Sequence, residues 1–323
     1  MKAFVTGASG FIGTHLVENL HQNNWQVSIF LHRQRMSEEN KYGIFRGNVL
    51  DLECLREALQ GTDVLFHLAA ALGSSLIGEK EFFRINVEGT DTVLRAAREA
   101  GVKRIIHFSS AGVLGSIKEN KPAGEDSIPA PISVYDKTKL EGERIALRYA
   151  QEGMDIVVVR PGWVYGPGDR RTFKLINAIA KKRFLLVTKG TARQTPVFIE
   201  DLINGVLICV SEGQRGEIYH LAGSEVLTIK DIVSVIGDAA GVKIPSLTLP
   251  LSPVKLAAVS LEKVFALFKR EAPLTEGKLS FFIHPKPLSI KKAKRELKYK
   301  PSTKFKKGME ETISWYKRRG WLK

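Results

Sequence analysis

The stretch TGASGFIG, residues 6–13, constrains the fold of this chain more than any other feature of its sequence. It follows the apolar run KAFVT and precedes FIGTHLVENLHQ, whose apolar residues recur at helical spacing. Glycines between a first strand and a first helix permit a tight turn, close approach of the backbone to a pyrophosphate and close helix–strand packing. The phosphates would lie against amide groups at the helix N-terminus. The predicted cofactor contacts in this loop are Gly7, Ser9, Gly10, Phe11, Ile12 and Gly13.

Short apolar runs alternate with helical stretches through the first half of the chain. WQVSIFL, DVLFHLAA, KRIIHFSSA and MDIVVVRPG indicate strands, and EFFRINVEGTDTVLRAAREAG indicates a helix that Gly101 would end. Continuous apolar strands between helices are typical of a parallel sheet covered on both faces. We therefore predict an α/β fold, a Rossmann-type doubly wound parallel sheet with a smaller, mostly C-terminal α/β substrate domain. Residues 1–165 with 197–222 would bind the nucleotide, and residues 166–196 with 223–323 would bind the substrate.

The C-terminal part of the chain predicts further helices in TIKDIVSVIGDAAG and VKLAAVSLEKVFALFKR. Proline-rich breaks are expected around them at Pro245, Pro250 and Pro253. The second of these helices has its charged residues near one face, which leaves a wide apolar face. Packing within the domain is one interpretation of that face. The other is a lid over an apolar substrate or a contact with a membrane surface.

The charge of the chain is strongly positive and unevenly placed. The formal net charge is +15, and residues 269–323 carry 17 Lys or Arg against 5 Glu and no Asp. This segment predicts a solvated basic surface, or attraction to a phosphate-bearing substrate or to a membrane. Nucleic acid is not predicted as a partner, because no recognised binding motif accompanies the charge.

Other compositional features point to a protein of a reducing compartment. Only Cys54 and Cys209 are present, each in an apolar or helical pattern, and both are interpreted as buried or structural thiols. No group of Cys, His and carboxylates has metal-ligand spacing, so no metal site is predicted. The chain begins directly as a strand and a glycine turn, and no apolar run is long enough to span a bilayer. A cytoplasmic location is expected.

The end of the second strand carries the signal for cofactor preference. A carboxylate at this position would bind the adenosine ribose diol, but the sequence SIFLHRQR has no acid there and two arginines instead. This pattern favours a 2′-phosphate, and hence NADP(H) over NAD(H), although arginines that only solvate a loop would look the same. Further on, GNVLD would place two residues against the adenine. The cofactor contacts predicted in this region are His32, Arg33, Arg35, Asn48 and Val49.

The stretch SVYDKTKLEGE, residues 133–143, places Tyr135 and Lys139 one helical turn apart on the same face. A nearby ammonium lowers the pKa of a tyrosine, because it favours the phenolate. The phenol could then take or give a proton at a hydroxyl or carbonyl during hydride transfer. The spacing alone is common. Together with the glycine loop and a strand ending in FSSAG, it indicates a catalytic pair.

These motifs, in this order, resemble the extended short-chain dehydrogenase/reductases, which include nucleotide-sugar epimerases and dehydratases. The resemblance covers nearly the whole chain. It rests on the glycine loop and on HLAA (67–70), NVEGT (86–90), FSSAGVLG (108–115), YDKTK (135–139), RPGWVYGPGD (160–169) and VFIEDL (197–202).

The resemblance implies a role for each matching residue. Tyr135 would be the catalytic acid/base, and Lys139 would lower its pKa and hold the nicotinamide ribose. Ser110 would hydrogen-bond the reacting oxygen, with Ser109 as the alternative, and His67 is interpreted as structural. The remaining cofactor contacts that the resemblance implies are Leu68, Ala69, Ala70, Asn86, Pro161, Gly162 and Val164.

The resemblance leaves two reaction classes open. The first is a nucleotide-sugar epimerase, which removes a hydride and returns it to the other face without net use of cofactor. The alternative is a net NADPH-dependent ketone reductase or dehydrogenase that resembles dihydroflavonol reductases and 3β-hydroxysteroid dehydrogenases. Sugar-binding members usually place an arginine three residues before VFIED, where this chain has Gln194 with Arg193 beside it. That departure weakens the epimerase interpretation, and the arginines after the second strand lean toward a reductase.

Two further classes are disfavoured, and one assembly is expected. Dehydratases carry an Asp–Glu pair after the serine motif, where this chain has Ala111, Gly112 and Val113. A catalytically idle relative would usually have lost Tyr135 or Lys139, and both are present.

EFFRINVEGTDTVLRAAREA and the Tyr135 helix resemble the pair of helices at the dimer interface of the family. A homodimer acting on a small-molecule substrate is therefore expected.

Overall fold

Parallel strands form the core of this computed structural model, which describes residues 1–36, 38–72, 77–118, 121–244, 248–268, 270 and 272–322. Except in the edge strand Gly43–Arg46, the apolar residues of the central sheet are buried on both faces, as expected for strands covered by helices. The strands are β1 (Lys2–Thr6), β2 (Gln26–Leu31), β3 (Gly43–Arg46), β4 (Val64–His67), β5 (Arg104–Phe108), β6 (Ile156–Pro161), β7 (Trp163–Tyr165), β8 (Leu186–Val187), β9 (Arg193–Gln194), β10 (Pro196–Phe198), β11 (Ile218–Leu221), β12 (Leu227–Thr228) and β13 (Thr248–Leu249).

Helices connect these strands and cover the sheet. They are α1 (Phe11–Gln22), α2 (Leu52–Ala58), α3 (Glu79–Phe83), α4 (Gly89–Glu99), α5 (Val134–Gln151), α6 (Arg170–Ala180), α7 (Ile199–Glu212), α8 (Ile229–Ala240), α9 (Leu251–Leu267), α10 (Glu276–Ile283), α11 (Lys291–Glu296) and α12 (Phe305–Arg318). A 3₁₀ turn, Ala111–Leu114, follows β5.

The central sheet has seven strands in the order β11–β6–β5–β4–β1–β2–β3, and every pair in it is parallel. The chain moves outward from β1 to β3 and then returns to the other side of β1 with β4. This reversal places the topological switch point between β1 and β4, where ligands of open α/β sheets bind. The predicted Rossmann-type doubly wound sheet is confirmed.

Two apolar layers hold the helices against the sheet. On one face, α2, α4 and α5 pack over a cluster that includes Leu55, Leu94 and Tyr149. On the other face, α1 and α7 contribute Leu16 and Val206 to a larger cluster. That larger cluster continues without a break into α8 and α12, so the C-terminal helices share their core with the sheet.

A segment at residues 284–290 ties the C-terminal part of the chain to the loops above the sheet. The amide of Ile117 donates to the carbonyl of Pro285 at 2.8 Å, and the amide of Ala123 donates to Pro287 at 2.9 Å. From the other side, the amide of Lys286 donates to the carbonyl of Arg193 at 2.7 Å. We call this segment the strap. It brings residues from the end of the chain to the carboxyl edge of the sheet.

Several local predictions can be compared with these elements. The helix predicted over EFFRINVEGTDTVLRAAREAG is interrupted by a π-helical turn at Arg84–Glu88, and Gly101 follows its end with a φ of +69°. The break predicted at Pro253 is wrong, because Pro253 lies in the first turn of α9. A proline is tolerated there, since the first-turn amides of a helix have no intrahelical acceptor. Pro245 lies outside the described residues.

The predictions for cysteines, metals and membrane spans concern the described part of the chain. Cys209 is buried and Cys54 is half-buried, and neither forms a disulfide there. In the same ranges, no group of three metal-binding side chains gathers. Over those residues, no helix has the length and apolar content needed to cross a bilayer.

Candidate active site

The glycine loop leaves an open anion site at the start of α1. Its N-cap is Gly10, which supplies no side-chain cap, and the first turn of the helix contains no acid. The first amides of α1 therefore remain available to a phosphate, with the helix dipole in its favour. Gly10 is exposed, while Ser9, Phe11 and Ile12 are half-buried. This cradle has the form that a dinucleotide pyrophosphate requires.

Two glycines of the loop are fixed by close backbone contacts. Gly7 has a φ of +72°, and a Cβ there would lie 2.7 Å from the amide nitrogen of Ala69. A Cβ on Gly13 would lie 2.3 Å from the carbonyl oxygen of Gly7. The loop after β1 is therefore pressed against the loop after β4 and against its own helix. Any side chain at either position would close the cradle.

The sheet gathers most of the predicted cofactor residues along its carboxyl edge, because parallel strands all end on the same side. The arginines after β2 and the residues after β3 lie at one end of that edge, and the residues that end β6 or follow it lie at the other. The predicted residues on this edge are His32, Arg33, Arg35, Asn48, Val49, Leu68, Ala69, Ala70, Pro161, Gly162 and Val164. His32, Arg33 and Arg35 are all exposed.

Asn86 has a different position from the other predicted contacts. It is buried in the π-helical turn, and its side-chain amide is taken up within the protein. Its Oδ1 accepts from the amide of Ala71 at 2.7 Å, and its Nδ2 donates to the carbonyl of Ala71 at 3.2 Å and to Thr138 Oγ1 at 2.9 Å. Asn86 thus fastens the loop after β4 to α5. Its direct contact with a cofactor stays a prediction.

Ser110 lies close enough to Tyr135 to oppose the rise in the pKa of the phenol. It caps the 3₁₀ turn, with its Oγ accepting from the amide of Gly112 at 3.0 Å. Tyr135 lies in the first turn of α5, which begins with a capping box between Ser133 and Asp136. The pair lies at the carboxyl end of β5, beside the glycine loop of β1 across β4. The arrangement favours Ser110 over Ser109 for the reacting oxygen.

The electrostatics around Tyr135 differ from the prediction made from spacing. Burial raises the pKa of Tyr135 to about 12, and the charge of Asp136 adds to that direction. The groups that oppose the rise in pKa are the Arg171 guanidinium and the Ser110 hydrogen bond. The expected lowering of the Tyr135 pKa is therefore wrong for this structure, since desolvation of the phenolate outweighs every favourable charge.

Lys139 sits within a buried polar network behind the tyrosine. Burial lowers the pKa of Lys139 to about 8, and the Glu143 carboxylate works against that shift. Glu143 accepts from Ser109 Oγ at 2.6 Å and forms a two-point ion pair with Arg160, through Nε at 2.9 Å and Nη2 at 2.6 Å. Glu143 and Arg160 are each 2% exposed. The Ser109 hydroxyl is thus already hydrogen-bonded within this buried network.

Two histidines lie on the same face of the sheet as Lys139. His67 bonds Thr6 Oγ1 at 2.8 Å and Thr90 Oγ1 at 3.1 Å, as expected for a structural residue. The ring of His107 is 5.4 Å from that of His67. Within the described chain, both ring nitrogens of His107 are buried without a hydrogen-bond partner. Burial and the Lys139 charge lower the pKa of His67 to about 3 and place the pKa of His107 well below its usual value.

These imidazoles predict a loss of stability in mild acid. His220 is also buried, and its pKa is lowered to about 3. Below pH 6.5 the unfolded chain binds protons at His67, His107 and His220 that the folded chain excludes, so the free energy of unfolding falls as the pH falls toward 3. Between pH 7.5 and 5.5 each imidazole would remove about 1.4 kcal/mol, and all three up to about 4 kcal/mol. Urea unfolding at the two pH values measures this.

A variant separates the histidine contribution from other acid effects. His107→Phe replaces a ring without polar partners by an apolar ring, so the stability difference between pH 7.5 and 5.5 should shrink by about 1.4 kcal/mol. An unchanged difference in that variant would show that His107 is not the neutral, buried imidazole of this structure.

A carboxylate occupies the space beside Ser110. A Cβ on Gly112 would lie 1.7 Å from Asp136 Oδ1 and 3.1 Å from Ser110 Oγ. Only a glycine at 112 therefore permits Asp136 to reach this position. Lys286 of the strap approaches Asp136 Oδ2 at 3.7 Å. An ion pair from the end of the chain thus closes one side of the site next to Tyr135.

Gln194 is fully engaged in holding the strap. It is 4% exposed, and its Nε2 donates to the carbonyls of Phe281 at 2.9 Å and His284 at 3.0 Å. Phe281 packs edge-on against Trp163, with ring centroids 4.8 Å apart. Aromatic rings and a neutral amide therefore lie next to the strap, which also carries the Lys286 that pairs with Asp136.

Hydride transfer at an alcohol or ketone carbon needs a held dinucleotide, a proton donor or acceptor and a partner for the reacting oxygen. The cradle of β1 and α1, the Ser110–Tyr135 pair and the buried Lys139 are the candidates for these functions, and they lie along a single sheet edge. The fold and this site define the class of extended short-chain dehydrogenase/reductases. Within that class, the chain belongs to the NAD dependent epimerase/dehydratase family, whose model matches residues 3–222.

Relatives of known description cover almost the whole chain. One is the 4-hydroxy-2-methyl-3-oxo-4-farnesyl-3,4-dihydroquinoline-1-oxide ketoreductase of Stigmatella aurantiaca, 29% identical over 96% of this chain and 95% of that protein. Another is the 3 beta-hydroxysteroid dehydrogenase/Delta 5→4-isomerase of Mycobacterium tuberculosis, 27% identical over 98% of this chain and 90% of that protein. A solved structure, MoeE5 in complex with UDP-glucuronic acid and NAD, is 26% identical, with a TM-score of 0.80 over 99% and 100% of the two chains. An enzyme of this oxidoreductase and epimerase family is supported.

Four side chains of the site were not predicted from the sequence. Arg171 acts on the phenol from the start of α6, and Asp136 with Lys286 borders it. Glu143, one turn after Lys139, could have been suspected from its helical spacing. Nothing in the local sequence indicates that Lys286 pairs with Asp136 or that the charge of Arg171 acts on Tyr135, because both interactions join distant parts of the chain.

Proposed function

We propose that this enzyme is a net NAD(P)H-dependent reductase of an apolar ketone, the alternative of the two sequence interpretations. The observation that carries the proposal is that the side-chain amide of Gln194 is already hydrogen-bonded to backbone carbonyls of the protein. At the position where sugar-nucleotide enzymes of the family carry an arginine, this chain has a neutral amide that donates to the carbonyl of Phe281 in α10 and to the carbonyl of His284 in the strap. Such a group offers no charge to a diphosphate, which binds most strongly to arginine or lysine.

The surroundings of Gln194 support an apolar substrate. Trp163 contacts Phe281 and Phe305, and Phe281 in turn contacts Phe282 at 5.2 Å. Aromatic walls with a few polar groups are typical of pockets for small apolar ligands. The two relatives described above act, by their names, on a farnesylated quinoline oxide and on a steroid. Both are large and apolar.

The residues of this chain would act on the carbonyl oxygen of such a ketone. A bound NAD(P)H supplies the hydride to the carbonyl carbon. Tyr135 donates its phenolic proton to the oxygen as negative charge develops there, and Ser110 donates a hydrogen bond to the same atom. The positive charge of Arg171 favours the phenolate that remains. Lys139, held by Glu143, would bind the nicotinamide ribose.

The first test compares two substrates on the same protein. We expect saturable oxidation of NADPH at 340 nm with a bulky apolar ketone such as a 3-ketosteroid, and no binding of UDP or dTDP to the NADP-saturated protein in calorimetry. Micromolar binding of either nucleotide, together with interconversion of a UDP-sugar without net change in NADPH, would establish the epimerase instead.

We propose that the enzyme prefers NADP(H) to NAD(H), because Arg33 and Arg35 follow β2 and are exposed to a 2′-phosphate. Replacing both by alanine should raise the Kd of NADP⁺ at least tenfold, a modest loss for two charge-assisted contacts, and leave the Kd of NAD⁺ within about twofold. The exposed Arg84, paired with Glu81 on α3, offers a control for loss of positive charge. Equal losses for NADP⁺ and NAD⁺ would contradict the preference.

We further infer that the nucleotide and the substrate are bound by the two parts of the chain that the sequence predicted. Residues 1–165 with 197–222 would hold the nucleotide, and residues 166–196 with 223–323, including the strap, would hold the substrate. We also propose a homodimer through α4 and α5, by analogy with the family. Light scattering at working concentration tests that assembly, and a monomeric mass would refute it.

A further inference from the structure

The outward face of α9 is apolar and uncovered. Leu256 is 69% exposed, Val264 49% and Leu267 82%, and Phe268, just beyond the helix, is 71% exposed. At 100° per residue, Leu256, Val264 and Leu267 fall within one 80° sector of the helix, which they share with the exposed Ser260. We call these four residues the α9 stripe. Large apolar residues exposed singly are ordinary, but a stripe of this kind marks an interaction site.

Packing within the protein uses a different face of the same helix. Val254 and Ala258 of α9 are buried, and Val254 joins Leu279 and Val187 in a small cluster separate from the two main cores. This cluster holds α9 against α10. Domain packing therefore explains the buried side of α9 and leaves the α9 stripe without a partner among the described residues.

Positive charge borders the stripe. Lys263 is exposed on the same face and Arg270 is exposed just beyond Phe268, while Lys255, exposed near the start of the helix, lies 3.5 Å from Glu276. A second copy of this chain would bring these cations against each other in a two-fold contact, which is unfavourable. A surface with apolar tails and anionic headgroups complements both properties, because lysine and arginine stems lie along apolar surface while their charges reach the headgroups.

We propose that the α9 stripe docks this enzyme onto an anionic phospholipid surface, with Leu267 and Phe268 inserted among the acyl chains. The helix would lie in the plane of the interface, held by its apolar residues and by Lys255, Lys263 and Arg270. The docking itself does not depend on which substrate is reduced.

The position of α9 places it next to the strap. Lys255 lies 3.5 Å from Glu276 in the first turn of α10, and α10 leads directly into the strap at His284. Since Lys286 of the strap pairs with Asp136 beside Tyr135, the first turns of α9 lie on the strap side of the site. Resting on the proposed function, this placement would let an apolar ketone pass from the lipid to the pocket without crossing water.

Vesicle co-sedimentation tests the docking without any substrate. The full-length protein is mixed with vesicles of phosphatidylcholine and phosphatidylglycerol at equal parts, or of phosphatidylcholine alone. We expect binding to the anionic vesicles and at least tenfold weaker partitioning for Leu267→Ser/Phe268→Ser, which removes apolar area and leaves the charge unchanged. Ile128→Ser is the matched control, because Ile128 is 88% exposed in a different part of the molecule.

Each outcome decides the proposal. Equal binding of the double variant and the native chain would mean that charge alone attracts the protein, and would overturn insertion by α9. No binding of the native chain to anionic vesicles would overturn it as well. A dimer in light scattering that the double variant abolishes would make a second copy the occupant. If ketone reduction fails while docking depends on Leu267 and Phe268, the proposed function fails and the docking stands.

Discussion

Replacing Tyr135 by phenylalanine is expected to lower kcat by about 10²- to 10⁴-fold, whichever substrate the enzyme takes. The change removes the hydroxyl that is proposed to exchange the proton with the substrate and leaves the ring in place. Because the hydroxyl gives its proton in the transition state, KM should change little. Steady-state kinetics of NADPH oxidation measure both constants.

The control for this prediction lies on the same helix. Tyr149 is buried in the core between α4 and α5, so Tyr149→Phe makes the same chemical change away from the site. It should retain turnover within a few-fold of the native chain. Calorimetric binding of NADP⁺ should be similar in both variants. If Tyr135→Phe turned over at the native rate, the assigned chemistry would be wrong for any substrate.

The second large effect is on stability, at the ion pair behind Lys139. Arg160→Met should lower the free energy of unfolding by about 3–5 kcal/mol, because it leaves the Glu143 carboxylate buried without its guanidinium. Arg160 and Glu143 are each 2% exposed and share two hydrogen bonds, so solvent cannot replace the lost partner. Urea unfolding at pH 7.5 measures the difference.

An exposed pair on the same helix provides the matched comparison. Arg144 bonds Glu141 at 2.7 Å, but the two side chains are 62% and 41% exposed. Arg144→Met should therefore cost about 1 kcal/mol or less. Similar losses for the two variants would mean that the Arg160–Glu143 pair is not shielded from water as described. If Arg160→Met is too unstable to purify while Arg144→Met can be purified, the loss of stability in Arg160→Met is still the larger of the two.

The two effects are linked through α5. Tyr135, Lys139 and Glu143 recur at intervals of four residues and so lie along one face of this helix. The first is the proposed proton donor, while the third anchors the helix to β6 through Arg160. We therefore regard Glu143 as a residue that positions α5 through its ion pair with Arg160.

The sequence predicted the order of elements and most of the site because its signals were local. The glycine loop, the apolar strands and the Tyr135–Lys139 spacing each depend on residues a few positions apart, and all three were found where expected. The choice of Ser110 over Ser109 was left open by alignment. It was favoured by the structure, in which Ser109 Oγ bonds Glu143.

Errors arose where burial or a local exception overrode a pattern. The spacing of Tyr135 and Lys139 predicted a lowered phenol pKa, but desolvation raises that pKa to about 12. Pro253 was taken for a break, yet the first turn of α9 accommodates it. In both cases the pattern was real. Its consequence depended on an environment that a short window of sequence does not contain.

The sequence by itself determined the parallel sheet, the cradle at Gly7 to Gly13 and the Tyr135–Lys139 pair, because hydrophobic periodicity and glycine conformation act within single elements. Only the tertiary structure decided that Arg171 acts on Tyr135, that Lys286 pairs with Asp136 and that Gln194 is taken up by the strap. These contacts join residues far apart in the chain. They exist only once the sheet, α6 and the strap have packed around one edge, so no local pattern encodes them.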